Sequence, residues 1–452
     1  MPDALHLNPE EIDSVEKRGK YTVSVIGCGQ KGINYGLAFA EAGFKVVCTD
    51  PDQSVVRPLS RGRMPLPDRE MESKLKIFTR TGMLSFTSDT KNSVAQSDII
   101  ILTIAVKIDA KKNADYSEIE NSCKQVGAAL RRGGMVIYGG VASLGLMEGI
   151  VKETLENTSG LKTGEDLGLA YNPAVISDGD RPSESFSDKE LLVAANDKNS
   201  LNSAAIILAI LTKKGVRQIP DFKTAELATL FGVARLDANV ALSNEFAMLC
   251  ENSGKDYFET LEISDMGFLE RNYAPSVAEE SWRDELYLLL ESAENLNAKL
   301  RLTTVAIQVN ESMVRHAVNL MQDALRSCGK TLRRARVTLL GKTKPITSGE
   351  DLTTMLEAKG AKISLYDPLL SRNDFSDMKP APKRNLSEAV EGSDCIVILT
   401  ADSQFKRLNL KNLRAVVKAP AAIIDLAGIM KPEDVEKEGF IYRGLGRGSE
   451  KK

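Results

Sequence analysis

Three glycines and one aspartate near the start of the chain have the spacing of a phosphate- and ribose-binding turn. Gly27, Gly29 and Gly32 follow a short β-branched run and precede an apolar helical segment, and Asp50 ends the next predicted strand. In a βαβ unit the first glycine permits a tight turn, the second lets the backbone approach a pyrophosphate, and the third lets the helix pack closely. The N–H groups of the helix N-terminus then face the phosphates. The predicted chemistry is therefore the binding of a dinucleotide.

The residues around this turn refine the prediction. Gln30 and Lys31 occupy the helix start that faces the phosphates. Asp50 lies about 20 residues beyond the glycines, where a carboxylate accepts from both ribose hydroxyls and repels a 2′-phosphate, which favours NAD over NADP. Val141 follows a glycine pair at the carboxyl end of another apolar strand, the edge at which such sheets bind ligands. We therefore predict an NAD site, the alternative being a glycine-rich turn without a ligand.

Length and composition exclude several classes of protein. A chain of 452 residues predicts two or three domains, and its net charge of −3 provides no basic footprint for nucleic acid or an anionic membrane. No run approaches the roughly 18 apolar residues of a membrane span, and the polar start is unlike a signal peptide, so we expect a cytoplasmic location. Six scattered cysteines without CxxC pairs and only two histidines predict neither a disulfide framework nor a metal site.

Strand and helix patterns alternate in both the first half and the last third of the chain. The segment at 94–103 ends a helix and enters a wholly apolar strand, and residues 135–138 repeat this pattern, which is typical of parallel strands covered on both faces. Residues 225–250 and 285–325 instead carry apolar side chains at spacings of three and four, which predicts long helices. The predicted fold is α/β, with two Rossmann-like, doubly wound parallel-sheet domains joined by a long-helix spine. The predicted parts are a polar N-terminal arm (1–20), an NAD-binding domain (21–215), a central helical dimerisation domain (216–328) and a C-terminal Rossmann-like domain (329–452), to which the resemblance described next adds nucleotide-sugar binding.

Several motifs in a fixed order resemble one family. They are GCGQKG at 27–32, SGLKTGEDLGLAYNPAVISDG at 159–179, TAELATLFGVARLDANVALSNEFAMLCENSGKD at 224–256, and then VTLLGKTKP, ISLYDP, DCIVILTADSQF and the closing YRGLGRG. Together they resemble the UDP-glucose/GDP-mannose dehydrogenase family, the nucleotide-sugar dehydrogenases, over nearly everything after residue 20. The resemblance implies NAD-dependent oxidation of the C6 alcohol of a nucleotide sugar. In the family this takes two steps, the second through a thiohemiacetal on a cysteine.

The resemblance also implies site residues, and here the chain diverges. Ser281 aligns with the family's cysteine, and Thr229 with a lysine that stabilises an oxyanion. Glu285, or the neighbouring Asp284, lies near the family's loop aspartate. A serine hydroxyl is far less ionised than a thiol near neutral pH, so the implied activity is a single oxidation. An alcohol-to-carbonyl step needs a base but no thiol, and a carboxylate whose pKa is raised by burial is suited to it.

Two functions remain open at this point. One is an NAD-dependent oxidoreductase acting on the CH–OH group of a nucleotide sugar. The other is a catalytically inactive paralogue that serves as an NAD or nucleotide-sugar sensor, or as a scaffold in polysaccharide biosynthesis. The loop at 271–287 distinguishes them, because a convergent, unpaired carboxylate indicates the enzyme and an exposed, salt-bridged loop indicates the scaffold. In either case we expect a nucleotide-sugar ligand and a homodimer formed through the central helices.

Overall fold

A computed structural model describes residues 3–64, 69–173, 186–264, 273–277, 283–341, 352–368 and 381–448. By internal contacts the chain divides into two compact units. The first unit comprises Met1–Val233 and Asp284–Ala298, and the second comprises Ala234–Arg283 and Lys299–Lys452.

The first unit is built on an eight-stranded sheet in the order β10-β9-β8-β7-β4-β1-β2-β3. Along the sheet, the neighbouring strands β3, β2, β1, β4, β7 and β8 pair in parallel. Strand β9 is antiparallel to β8, and β10 is parallel to β9. The order reverses between β1 and β4, and ligands of such sheets bind outside the carboxyl ends of the strands at that point. The strands are β1 Thr22–Ile26, β2 Lys45–Thr49, β3 Leu84–Thr87, β4 Ile99–Leu102, the hairpin pair β5 Lys107–Ile108 and β6 Ala114–Asp115, then β7 Met135–Tyr138, β8 Gly168–Tyr171, β9 Leu191–Ala194 and β10 Val216–Ile219.

Helices cover the sheet, and several begin at an aspartate that caps the first turn. The side chains of Asp52, Asp89 and Asp197 each accept a backbone N–H of the helix that follows. The α-helices are α1 Val15–Arg18, α2 Gln30–Glu41, α3 Gln53–Ser60, α4 Arg69–Thr81, α5 Thr90–Ala95, α6 Ser117–Gly127, α7 Glu153–Ser159, α8 Lys198–Ala209, α9 Phe222–Ser253, α10 Tyr257–Ser264, α11 Arg283–Asn295, α12 Arg301–Ser327, α13 Leu352–Ala358, α14 Leu386–Val390, α15 Ser403–Lys406, α16 Leu410–Val416 and α17 Pro432–Lys437. Short 3-10 helices cover Pro9–Glu11 and Phe186–Asp188, and a π-helical segment covers Met147–Lys152.

The segment predicted as a polar arm packs onto the first unit. Ala4, Leu5 and Leu7 are buried. The Leu7 N–H donates to the Ser203 hydroxyl at 3.2 Å, and the Ala4 N–H donates to the Gly133 carbonyl at 2.8 Å. The few apolar side chains of this stretch therefore determine where it lies, although polar residues dominate its composition.

The second unit contains a five-stranded, wholly parallel sheet in the order β12-β11-β13-β14-β15. Its strands are β11 Arg336–Leu340, β12 Lys362–Tyr366, β13 Cys395–Ile398, β14 Ala422–Asp425 and β15 Ile441–Gly444. On one face, Met321 and Leu325 of α12 belong to a buried apolar cluster with Leu339 and Val397 of the sheet. Burial of this helix stripe against parallel strands removes apolar surface from water and stabilises the unit.

The two sheets share two structural details that are not evident from their sequences. The backbone N–H at the start of β1, from Thr22, donates to the Asp98 carboxylate at 2.9 Å, and the N–H of Arg336 at the start of β11 donates to Asp394 at 2.9 Å. Gly341, directly after β11, has a φ of +99°, and the first glycine of the amino-terminal turn has +98°. The prediction of two Rossmann-like α/β domains connected by a long helix is thus confirmed.

The compact units divide the chain differently from the predicted helical domain at 216–328. Strand β10 pairs with β9 in the first sheet, and α11 also belongs to the first unit. The pattern of apolar residues indicates a helix but not the surface on which it packs. Within the described ranges, no helix is both long and apolar enough to cross a membrane.

Candidate active site

The glycine turn has the geometry expected of its sequence. Gly27 follows β1 with a φ of +98°, and an ideal Cβ there would lie 2.9 Å from the Ile104 Cδ1 atom. A Cβ at Gly32 would lie 1.9 Å from the Gly27 carbonyl oxygen, so only glycine allows this approach of α2 to the strand. At Gly29, no described atom lies within 4 Å of an ideal Cβ. The open side of the turn is therefore the side from which a phosphate can approach.

The start of α2 fits a dinucleotide. Gly29 is its N-cap and provides no capping side chain, so the first N–H groups of the helix have no side-chain acceptor from that residue. The Gln30 side-chain amide donates to Asn34 Oδ1 at 3.1 Å. Its oxygen is buried without a hydrogen-bond partner among the described residues. The N–H groups of the helix start would hold the cofactor's phosphates, while contact by the Gln30 and Lys31 side chains stays a prediction.

Asp50 lies directly beside this turn. Its Oδ2 accepts the Cys28 N–H at 3.0 Å, and its Oδ1 accepts the Asp52 N–H at 3.0 Å. The two backbone donors hold the carboxylate at the carboxyl end of β2. Each carboxylate oxygen keeps acceptor capacity for a ribose hydroxyl. The geometry is consistent with the predicted ribose contact.

An ion pair joins the turn to a candidate base. The Lys31 Nζ lies 3.4 Å from Glu285 Oε1, and the two side chains are only 22% and 18% exposed. Burial raises the pKa of Glu285, the Lys31 ammonium lowers it, and the charge of Asp284 raises it again, the outcome being a raised pKa. The structure thus brings together two site residues that lie 254 positions apart in the chain.

Helix α11, which carries Glu285, is also held to other loops at the same edge of the sheet. The Tyr116 hydroxyl, after the β5–β6 hairpin, lies 2.5 Å from Glu291 Oε2 and 2.9 Å from the Ser143 hydroxyl. The N–H of Leu144, in the loop after β7, donates to the Ser292 hydroxyl at 3.2 Å. Together with the ion pair at the glycine turn, these contacts set α11 at the carboxyl ends of β1, β4 and β7.

The loop after β7 is fastened by a buried carboxylate. Glu226 of α9 has no exposed surface and accepts the N–H of Gly145 at 2.6 Å and of Met147 at 3.0 Å. Burial raises its pKa to about 7, although the two N–H groups act in the opposite direction. Val141 lies in the same loop, and its side chain is buried. The predicted contact of Val141 with the cofactor remains a prediction.

Thr229 lies on the next turn of α9. It is 3% exposed, and its hydroxyl donates to the Ala225 carbonyl at 2.8 Å. Burial raises the pKa of the Tyr171 hydroxyl, which is hydrogen-bonded to Thr229, and the charges of Glu226 and Glu285 raise it further. Thr229 therefore borders a buried cluster in which two carboxylates interact electrostatically with one tyrosine.

Two further predicted residues have different outcomes. Asp284 is half-buried in the first turn of α11, next to Glu285. Ser281 lies outside the described residues.

The sequence interpretation missed Glu226. The sequence did contain a signal for it, because this acid stands in the first turns of an otherwise apolar helical pattern. Burial of an unpaired carboxylate there requires hydrogen-bond donors from another segment.

A glycine turn at the switch point of a parallel sheet, with a ribose-type carboxylate and a buried acid nearby, defines a dinucleotide-binding α/β oxidoreductase with a second Rossmann-like domain. Residues 21–212 match the NAD binding domain of the UDP-glucose/GDP-mannose dehydrogenase family, and residues 347–432 match its UDP binding domain. The chain belongs to this family, the NAD-dependent nucleotide-sugar dehydrogenases. The predictions of the family and of NAD as cofactor are confirmed.

Curated relatives match almost end to end. A UDP-glucose 6-dehydrogenase of Rhizobium meliloti is 25% identical over 94% of this chain and 99% of its own length. A UDP-N-acetyl-D-mannosamine dehydrogenase of Pyrococcus horikoshii is 26% identical with the same coverage. Among solved structures, a UDP-D-ManNAc dehydrogenase from Pyrococcus horikoshii superposes with a TM-score of 0.82 at 25% identity, covering 95% of this chain and 100% of that one. A UDP-glucose dehydrogenase from Pyrobaculum islandicum has a TM-score of 0.79 at 20% identity, with 94% and 98% covered, and supports the fold alone.

Proposed function

We propose that this chain oxidises one alcohol group of a UDP-sugar or related nucleotide sugar to a carbonyl in a single NAD-dependent step. The observation that carries the proposal is the position of the Glu285 carboxylate beside the dinucleotide turn, where its side chain is only 18% exposed. The curated relatives act on UDP-glucose and UDP-N-acetyl-D-mannosamine by their names, which supports the substrate class. Bound NAD supplies the two-electron acceptor.

In this proposal Glu285 is the general base. Alcohol oxidation releases a proton from the hydroxyl, and a carboxylate whose pKa is raised by burial accepts it more readily than an exposed one. Asp284, on the same helix turn, is the second candidate. Glu226 is less suited, because both of its oxygens are engaged by backbone N–H groups.

The state of the cysteines supports a single oxidation. All six cysteines of the chain lie within the described residues, and all are buried. Burial raises the pKa of thiols such as Cys28 and Cys123, and a protonated thiol is a poor nucleophile. A covalent second oxidation through a thiol therefore has no accessible candidate among them.

The test is a count of NADH per sugar. Purified protein is incubated with excess NAD and a limiting amount of each UDP- or GDP-sugar, and absorbance at the NADH band is read to completion. One NADH per sugar, with a carbonyl product that reacts with a hydrazine reagent, is the expected result. Two NADH per sugar and a carboxylate product would contradict the single step.

A second candidate function is that of a sensor or scaffold without turnover. Thr229 favours it, because this buried hydroxyl is committed to Ala225 and Tyr171 at the position where the family's lysine is implied. Of the loop at 271–287, residues 271–272 and 278–282 lie outside the described residues. In its described part Glu285 is half-buried, as a base in an enzyme requires, but it is also ion-paired, as the scaffold predicts. Calorimetric binding of NAD and a nucleotide sugar, without NADH from any sugar tested, would establish the sensor.

We also propose that the chain forms a homodimer through its long helices. In the second unit, Leu242, Phe246 and Leu249 follow one another at helical spacing on α9 and are 48% to 65% exposed. Leu302 and Val305 on α12 are 85% and 53% exposed. Large apolar side chains on long helices favour a self-complementary contact with a second copy of the same surface.

A further inference from the structure

We propose that Lys31 is a positioning residue for Glu285, holding that carboxylate ionised and in place from within the dinucleotide turn. This inference rests on the proposed function, in which Glu285 is the base. Lys31 is the second residue of α2 and Glu285 is the third residue of α11, so the pair connects two helix starts. The ammonium and carboxylate are 3.4 Å apart, which is within the reach of a direct ion pair.

The surroundings of Glu285 otherwise oppose its negative charge. Burial and the charge of the neighbouring Asp284 both raise the pKa of Glu285. The hydroxyls of Tyr138 on β7 and Tyr171 on β8 are within electrostatic reach, but burial raises their pKa values and keeps them neutral. Glu226 acts on the same two tyrosines. Among the described residues, Lys31 is the cation that acts on Glu285. A largely buried charge that loses its partner is destabilised, so without Lys31 the pKa of the Glu285 carboxyl group would rise further.

The ion pair with Lys31 also determines where the Glu285 carboxylate lies. Carboxylates are favoured near helix N-termini, and Glu285 lies in the first turn of α11 and against the first turn of α2. The lysine therefore fixes the carboxylate at the turn that would hold the cofactor, rather than elsewhere along α11. A proton acceptor at that place serves the reaction only while it is ionised.

The test measures the titration of Glu285 directly. Difference infrared spectra of the purified protein follow the carboxyl bands against pH, and Glu285→Gln identifies the band that belongs to this residue. In Lys31→Met we expect the midpoint to move upward by at least one pH unit, because removal of an opposite charge at this distance typically changes a pKa by one to three units. Lys31→Arg, which restores a cation, should return the midpoint towards that of the parent protein.

A matched control removes a lysine ion pair elsewhere in the same unit. Lys124 pairs with Glu120 on the exposed surface of α6, so Lys124→Met should leave the Glu285 band unchanged. An unchanged midpoint in folded Lys31→Met protein would overturn the proposal. If circular dichroism shows that Lys31→Met does not fold, Lys31→Gln provides the neutral variant, and the same midpoint is decisive there.

The pH–rate profile is a second readout. Activity is lost as pH falls through the pKa of the base, so its acid limb should move upward in Lys31→Met by the same interval as the infrared midpoint. A loss of rate without that movement would indicate a merely structural role for Lys31. Absence of turnover in the parent protein would count against the proposed function, while the infrared result would still decide whether Lys31 keeps Glu285 ionised.

Discussion

The Glu226 carboxylate on α9 accepts the N–H of Gly145 at 2.6 Å and thereby ties the long helix to the loop after β7. This acid is wholly buried, and burial raises its pKa to about 7 from an ordinary value of 4.5. The folded protein thus binds a proton on Glu226 over a pH range in which the unfolded chain has already lost it. The contact therefore has consequences for stability.

The first prediction concerns the pH dependence of stability. Because the folded-state pKa of Glu226 is raised, its contribution is fully present below pH 4.5 and is lost as pH rises to about 7. The loss amounts to about 3 kcal/mol in the free energy of unfolding. In Glu226→Gln this part of the pH dependence should disappear. Urea unfolding at several pH values checks it, and a parent–variant difference equal at both ends of the range would contradict it.

The glycine turn allows stability and cofactor binding to be separated. Gly32→Ala places a Cβ against the Gly27 carbonyl, so we expect a lower melting temperature and an NAD affinity reduced by more than tenfold. Gly29→Ala meets no described atom, so its melting temperature should match that of the parent. Its new methyl group would nevertheless obstruct the phosphates and weaken NAD binding about tenfold. Calorimetry with NAD and thermal unfolding measure both, and unimpaired binding in Gly29→Ala would count against the site.

Asp50 should determine the choice between NAD and NADP. In Asp50→Ser the repulsion of a 2′-phosphate and the ribose contact are both lost, so NAD affinity should fall about tenfold while NADP affinity rises. Asp52→Asn is the control, because Asp52 caps α3 and its N–H, not its side chain, contacts Asp50. The ratio of the two dissociation constants is measured by calorimetry. A ratio unaltered in Asp50→Ser would show that the carboxylate has no such role.

The identity of the base is open to a direct comparison. Glu285→Gln should lower kcat by about 100-fold or more, since a positioned general base contributes on that scale. Asp284→Asn should have a much smaller effect, because Glu285 is the residue that lies against the turn. Steady-state rates with saturating NAD measure both variants. The reverse ranking would transfer the role of base to Asp284.

The proposed dimer depends on the exposed apolar face of α9. Introducing two charges with Phe246→Asp and Leu249→Asp should convert a dimer to a monomer, because both side chains would be desolvated at the interface. Val15→Asp is the control. Val15 is 61% exposed and belongs to α1 of the first unit, not to α9 or α12. Light scattering after gel filtration gives the mass. A parent protein that is already monomeric would disprove the dimer.

Local sequence patterns were enough to predict the cofactor, the parallel sheet and the family of this protein. The glycines of the turn and Asp50 act through backbone geometry within one βαβ unit, so a short stretch of sequence was enough to predict the NAD site. Wholly apolar strands such as β4 and β7 predicted a covered parallel sheet, and both are buried throughout. The ordered motifs predicted the family, which the comparisons confirm.

Tertiary structure decided which side chains work together. Lys31 and Glu285 are 254 residues apart, and Glu226 is 81 residues from Gly145. No periodicity or local motif records such a contact, because it depends on where α9 and α11 meet the loops at the carboxyl edge of the sheet. The same packing assigns α11 to the first unit, although its sequence reads only as part of a helical segment. Burial then raises the pKa values of both acids, a property that a carboxylate acquires only when the folded chain removes it from water.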